Sequence, residues 1–119
     1  MKFSFNNDTP IYLQLINQLK IEIISGNIGL GEKLPSVREL ALDCKVNPNT
    51  IQRALSELEE IGLVYTERTN GKFVTENKKL VDKLKKEYAI EESKKYIEIM
   101  NNIGINKDEI IDFIKNMKG

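Results

Sequence analysis

Asn49, Thr50, Gln52, Arg53 and Ser56 fall within one short stretch, and each carries a short or fork-shaped hydrogen-bonding group. Placed on the leading turns of a helix, such side chains reach base edges in a major groove, where donors and acceptors distinguish every base pair. The chemistry they suggest is recognition rather than bond-making. Nothing around them points to catalysis. The chain has no histidine and one cysteine, Cys44, which removes histidine-based catalytic arrangements and most zinc sites. Its acidic residues are scattered at helix-surface spacing, with no nucleophile beside a base. Cys44 has no partner for an intramolecular disulfide and falls near the end of a predicted helix, so it reads as a packing residue.

Two short helices and a tight turn must hold these side chains. Ser36 can N-cap the first, with Glu39 three residues on completing a capping box, and Val37, Leu40 and Ala41 give it an inward stripe. Asn47 can N-cap the second, with Pro48 at the first helical position, where a missing N–H costs nothing. Ile51, Leu55 and Leu58 supply its buried face, and Gly62 ends it. Leu63–Arg68 then has strand composition, Thr69-Asn70-Gly71-Lys72 predicts a type I′ hairpin turn, and Phe73-Val74-Thr75 returns. A hairpin directly after a recognition helix is a wing. Its tip, with Arg68, Asn70, Gly71 and Lys72, is placed to meet the phosphate backbone or the adjacent minor groove.

Upstream, Phe3 and Phe5 suggest a short extended arm that docks its aromatics. Thr9-Pro10 is expected to open a long helix as N-cap and first residue, and Tyr12, Leu15, Ile16, Leu19 and Ile23 form its core-facing stripe up to Gly26. Gly29 and Gly31 punctuate a connector without the Lys-Ser/Thr of a nucleotide loop. From residue 76 the composition shifts to Lys, Glu, Ile and Asn. One helix over about 77–103 would be ~40 Å long, followed by a second capped by Asn106 and Glu109. Two such helices make a poor independent core, and pairing with a second chain would cover them. The expected dimer interface is Val81, Leu84, Tyr88, Tyr96, Ile97, Met100, Ile110, Phe113 and Ile114.

The predicted fold class is mainly α with a small β wing: a winged helix-turn-helix over residues 1–75, then a two-helix C-terminal dimerisation unit over 76–119. Formal net charge is zero, with 18 basic and 18 acidic residues, and residues 1–75 are slightly acidic, so DNA binding would require the cations to be gathered on one face. No apolar run approaches the ~20 residues of a membrane span, and Asn6-Asn7-Asp8 interrupts any signal-peptide core after Met1-Lys2-Phe3-Ser4. A cytoplasmic location is expected, with no membrane partner and no cofactor or metal.

The run LPSVRELA-x4-VNPNTIQRAL-x-ELE-x2-GLVYT-x-R-x2-G-x-FV over residues 34–74, with Pro10-Ile11-Tyr12-x-Gln14 before it, resembles the GntR family of bacterial transcription regulators. The short, wholly helical C-terminal part is similar to the YtrA subfamily, in which the Asn-Pro-Asn-Thr variant is frequent. The resemblance implies a homodimer on a palindromic operator, commonly a repressor near transporter operons. It implies a phosphate contact for Arg38, DNA-facing positions for Asn47, Asn49 and Thr50, a base-reading position for Gln52 and a wing-tip glycine in Gly71. Positions 48 and 52 hold Pro and Gln where many members have Arg, so base preference does not transfer; a bidentate Gln52 would favour adenine. The candidate DNA-contacting set is Ser36, Arg38, Asn47, Pro48, Asn49, Thr50, Gln52, Arg53, Arg68, Gly71 and Lys72. A small-molecule effector would bind between Tyr88, Tyr96, Met100 and Phe113 at the dimer interface, where plain interface packing is the simpler reading. The alternative function is a winged-helix protein-interaction module, which the acidic balance would suit.

Overall fold

A computed structural model describes residues 3–119; Met1 and Lys2, where the signal-peptide reading begins, lie outside the described residues. The order of elements is α1 (Ile11–Ile24), α2 (Val37–Cys44), α3 (Pro48–Glu60), β1 (Val64–Glu67), β2 (Gly71–Val74), α4 (Lys78–Asn102) and α5 (Lys107–Asn116). The chain divides into two compact units, one running to Lys83 and the other Leu84–Gly119.

In the first unit α1 and α2 both pack on α3. Leu15, Leu19 and Ile23 from α1, Leu40 from α2, and Ile51, Leu55 and Leu58 from α3 form the core, closed by Leu63, Val64 and Val74 at the base of the hairpin. These positions recur at three- and four-residue spacing on the helices, which puts one stripe of each inside. Cys44 is buried among them as a free thiol, as its packing role required, and burial raises its pKa, with Asp43 adding to the effect.

Local chemistry sets the helix ends. Ser36 Oγ accepts from Glu39 N at 3.0 Å while Glu39 Oε1 accepts from Ser36 N at 3.2 Å, closing the capping box. Asn47 Oδ1 accepts from Asn49 N at 2.8 Å, with Pro48 opening α3. The turn between these helices passes through Lys45, which adopts a left-handed φ of 55°. α1 departs from expectation. Pro10, not Thr9, takes the N-cap position, with no side-chain cap. Gln14 donates to the carbonyls of Asn6 and Thr9 at 2.9 and 2.8 Å and accepts from Asn6 N at 3.0 Å, which ties the incoming chain to α1 without capping its free N–H groups. Gln18, one turn on, pairs with the Ser4 peptide through both N and O. The two glutamines zip the extended arm onto α1, and Phe3 and Phe5 stack half-buried, 6.3 Å apart.

The hairpin is antiparallel with Val64 opposite Val74, Tyr65 opposite Phe73, Thr66 opposite Lys72 and Glu67 opposite Gly71. The expected two-residue type I′ turn is not formed. Asn70 does not take positive φ; its N–H donates to Glu67 O at 3.2 Å, and Gly71 alone is left-handed at φ 102°. Arg68, Thr69 and Asn70 thus make a three-residue loop. The connector before α2 contributes a third edge: Lys33 bridges Phe73, and Leu34 N donates to Lys72 O at 2.8 Å.

α4 is one helix of 25 residues, begun by Asn77 Oδ1 accepting from Leu80 N at 3.1 Å. In the second unit α5 carries the Asn106–Glu109 capping box at 3.0 and 3.2 Å. Among the described residues no helix is long and apolar enough to cross a membrane.

Candidate nucleic-acid interface

α3 is divided cleanly. Ile51, Ala54, Leu55 and Leu58 have essentially no exposure, while Asn49, Gln52, Arg53 and Ser56 are exposed and Thr50 is half-buried. The apolar face holds the helix in place, leaving the polar side chains of its first turns turned outward. Gln52 Nε2 lies 3.5 Å from Ser56 Oγ one turn on, a loose contact that a better partner can replace. Asn47 and Pro48 stand exposed at the head of the same helix, and Arg38 is exposed on the first turn of α2. No ion-pair partner of Arg38, Arg53 or Arg68 occurs among the described residues.

Two depressions gather part of the expected set. The first, of about 350 Å³, runs between the N-terminus of α2 and the wing, and its walls include Ser36, Arg68, Asn70, Gly71, Lys72 and Lys33. It joins the head of one motif helix to the wing tip, with Glu39 and Glu67 also on its walls. Gly71 is needed there for its left-handed φ of 102°; a Cβ would stand 3.3 Å from Lys33 Cε, which a small shift of that side chain relieves. The second, of about 340 Å³, is lined by Ile11, Tyr12, Asn49, Thr50 and Arg53. Arg53 lays its guanidinium over the Tyr12 ring, 3.6 Å from the centroid, a cation–π stack that leaves the planar fork of N–H donors uncovered at its edges. Arg38, Asn47, Pro48 and Gln52 line neither depression.

Lys72 is placed otherwise than a free phosphate-seeking cation. Only 16% of its side chain is exposed, its Nζ donates to Thr66 Oγ1 at 2.9 Å, and Glu59 Oε2 lies 3.7 Å away. Sequence reasoning passed over four participants: Tyr12, taken for a plain core residue, and Lys33, Glu59 and Thr66. The available signal was the spacing of Gln52, Ser56 and Glu59, which places a carboxylate on the recognition stripe itself.

The second unit leaves apolar surface open. Tyr96, Phe113 and Ile114 are exposed, while Leu84, Tyr88, Ile97 and Met100 are half-buried. Val81 and Ile110, also in the expected interface set, are buried within the single chain, so little of their apolar surface is open to a partner. Ile99, Ile103, Ile111 and Met117, which that set omitted, are exposed. Among the described residues no group of three or more His, Cys, Asp or Glu could hold a metal ion.

Comparison with known proteins agrees with this geometry. Residues 11–74 match the family described as bacterial regulatory proteins, gntR family. YhcF of Bacillus subtilis, an uncharacterized HTH-type transcriptional regulator, is 41% identical over 97% of this chain and 95% of its own. The HTH-type transcriptional repressor YtrA of the same organism is 38% identical over 93% of this chain and 86% of its own. A GntR family transcriptional regulator from Listeria monocytogenes superposes with a TM-score of 0.90 at 42% identity, covering 96% of this chain and all of that one. AraR(DBD), solved in complex with operator ORX1, matches 63% of this chain and 99% of its own with a TM-score of 0.58 at 27% identity. A helix-turn-helix with an outward polar face, a wing beside it and relatives of this kind along almost the whole chain make this protein a member of the GntR family, a YtrA-like DNA-binding transcription regulator.

Proposed function

We propose that the protein is a cytoplasmic repressor that binds a palindromic operator as a homodimer, with α3 of each chain in a major groove. The observation that carries this is the division of α3: its apolar side is fully buried, while Asn49, Gln52, Arg53 and Ser56 stand exposed, with Arg53 stacked on the Tyr12 ring. Asn49, Thr50, Gln52 and Arg53 read or flank base edges, Arg38 and Ser36 hold the backbone from α2, and Arg68 and Gly71 bring the wing tip to the neighbouring strand. Asn47 and Pro48 fix the entry of α3 into the groove. The relative YtrA is itself a repressor, and the exposed faces of α4 and α5 supply what a second chain would cover, with Ile99 at 62% and Ile114 at 57% exposure. Two recognition helices then meet half-sites about one helical turn (~10 bp) or a multiple apart.

The test is binding of the purified protein to duplexes from upstream of its own gene at two salt concentrations, with stoichiometry read by native mass spectrometry. Two chains on one duplex, random DNA competing poorly, and an affinity falling steeply with salt are expected. Arg38→Ala should weaken specific and random DNA alike, whereas Gln52→Ala should change base preference at one position of each half-site. Weak and equal binding to all duplexes would replace this reading with the protein-interaction module.

A further inference from the structure

The hairpin is held at its base but not, by apolar contacts, at its tip. Val64 and Val74 are buried and Tyr65 stacks on Phe73 at 5.6 Å, whereas Thr66, Glu67 and Gly71 are exposed. A two-stranded ribbon of this length is marginal on its own, and the backbone bonds from the connector, Leu34 N to Lys72 O and Val74 N to Glu32 O, reach only its second strand. Side chains alternate along a strand, so Thr66 follows Val64 onto the face turned toward α3. There Thr66 Oγ1 donates to Glu59 Oε1 at 2.7 Å and accepts from Lys72 Nζ at 2.9 Å, and Lys72 lies 3.7 Å from Glu59 Oε2. Three elements, α3, β1 and β2, thus meet in one closed network, immediately before the loop that carries Arg68.

We propose that Glu59, Thr66 and Lys72 form a clamp that fixes the angle of the wing against the recognition helix, and so act as positioning residues for the DNA contact of Arg68. This rests on the DNA-binding reading above. The clamp also accounts for a carboxylate on the stripe of α3 that carries Gln52 and Ser56: Lys72 neutralises it, so the stripe meets the phosphates without a net repulsive charge. A lysine that is mostly covered and already shared between a hydroxyl and a carboxylate is ill suited to a phosphate contact of its own.

The sign of one substitution separates the two roles. Removing an acid near DNA strengthens binding when only charge matters, so Glu59→Gln and Glu59→Lys would then bind more tightly than the parent. The clamp requires the reverse: both variants bind the operator duplex about three- to tenfold more weakly, the loss of one charge-assisted contact and the order it imposes. Lys72→Glu weakens binding further, and the exchanged pair Glu59→Lys with Lys72→Glu recovers to within about twofold of the parent, because the threonine hydroxyl serves either polarity. In an Arg68→Ala background Glu59→Gln costs nothing more. Fluorescence anisotropy on the labelled operator at fixed salt reads all five, and thermal melts confirm folding, for which the isosteric Glu59→Gln is the mildest case. Equal or tighter binding by Glu59→Gln, or an exchanged pair as weak as Lys72→Glu alone, overturns the clamp. A parent protein that binds no upstream duplex even at low salt removes the DNA reading itself, and the clamp's function with it.

Discussion

The stack of Arg53 on Tyr12 offers a quantitative test of how α1 contributes to DNA recognition. Tyr12 is half-buried and Arg53 exposed, with the guanidinium carbon 3.6 Å above the ring centroid. A cation–π contact at an exposed site contributes ~0.5–1 kcal/mol. An unrestrained arginine holds about 2 kcal/mol of rotamer entropy, part of which the ring removes before DNA arrives, so the stack should appear as preorganisation of the free protein. Replacing Tyr12 by Leu keeps an apolar side chain against the core but removes the ring face. The expected loss of operator affinity is about two- to fivefold, the Kd equivalent of ~0.5–1 kcal/mol. Tyr12→Phe should retain parental affinity, because the ring and not the hydroxyl makes the contact. In an Arg53→Ala background Tyr12→Leu should have no further effect, and a double-mutant cycle by fluorescence anisotropy measures that coupling directly. Equal losses in both backgrounds would show that Tyr12 acts through packing alone. Tighter binding by Tyr12→Leu would show that Arg53 must leave the ring to reach DNA, and would refute preorganisation.

Four further outcomes are expected. Ser36→Ala opens the capping box of α2 and should destabilise the fold by about 1 kcal/mol, seen as a lowered melting temperature. Lys45→Gly relieves the left-handed residue between α2 and α3; the strain of ~1–2 kcal/mol is partly offset by glycine's greater unfolded freedom, leaving a gain of about 0.5 kcal/mol in denaturant melts. Burial raises the Cys44 pKa, so the native thiol stays protonated where the unfolded one ionises: labelling by a maleimide at neutral pH should be slow until denaturant is added, and the contribution of this group to stability, full below the unfolded thiol pKa, should be lost as pH rises from there through the higher native value. Ile99→Lys on α4 with Ile103→Lys in the turn that follows it, both exposed, should break the proposed dimer and yield a monomer in sedimentation while leaving the melting of the first unit unchanged.

The helices were legible because their signals are local and redundant. Ser36 with Glu39, Asn47 with Pro48, and Asn106 with Glu109 each combine a cap with an apolar stripe, and all three open helices where expected. The hairpin shows where a strong local signal loses. A type I′ turn centred on Asn70-Gly71 would set Lys72 opposite Thr69, yet the observed register sets it opposite Thr66. The observed pairing matches Val64 with Val74 and Tyr65 with Phe73, and burying matched apolar pairs outweighs the preference of two turn residues. That shift in register carries Lys72 from the wing tip to Glu59, which is why its role could not be read from the turn alone. Tyr12 was hidden for a different reason: it stands on the core-facing stripe of α1, and only the placement of α1 against α3 brings it beneath Arg53. The arm was legible in its aromatics but not in its anchoring, since Gln14 and Gln18 look like any solvated helix positions until a peptide lies across them.

The charge balance bears on how a protein with no net charge holds a polyanion. Three acidic side chains of the motif are engaged within the fold: Glu39 closes the cap of α2, Glu59 faces Lys72 and Thr66, and Glu67 accepts from the Asn70 amide at 3.0 Å. Arg38, Arg53 and Arg68 have no carboxylate within ion-pair distance among the described residues. Each stands on a different part of the motif: the first turn of α2, the face of α3, and the wing loop. Three guanidinium groups per chain would release few counterions, so a single chain should bind random DNA weakly, and doubling them by symmetry roughly doubles the slope of log affinity against log salt. In the proposed dimer specificity depends on pairing more than on bulk charge: an isolated first unit should lose far more operator affinity than random-DNA affinity, because only paired chains would bring both sets of arginines and both α3 helices to one site.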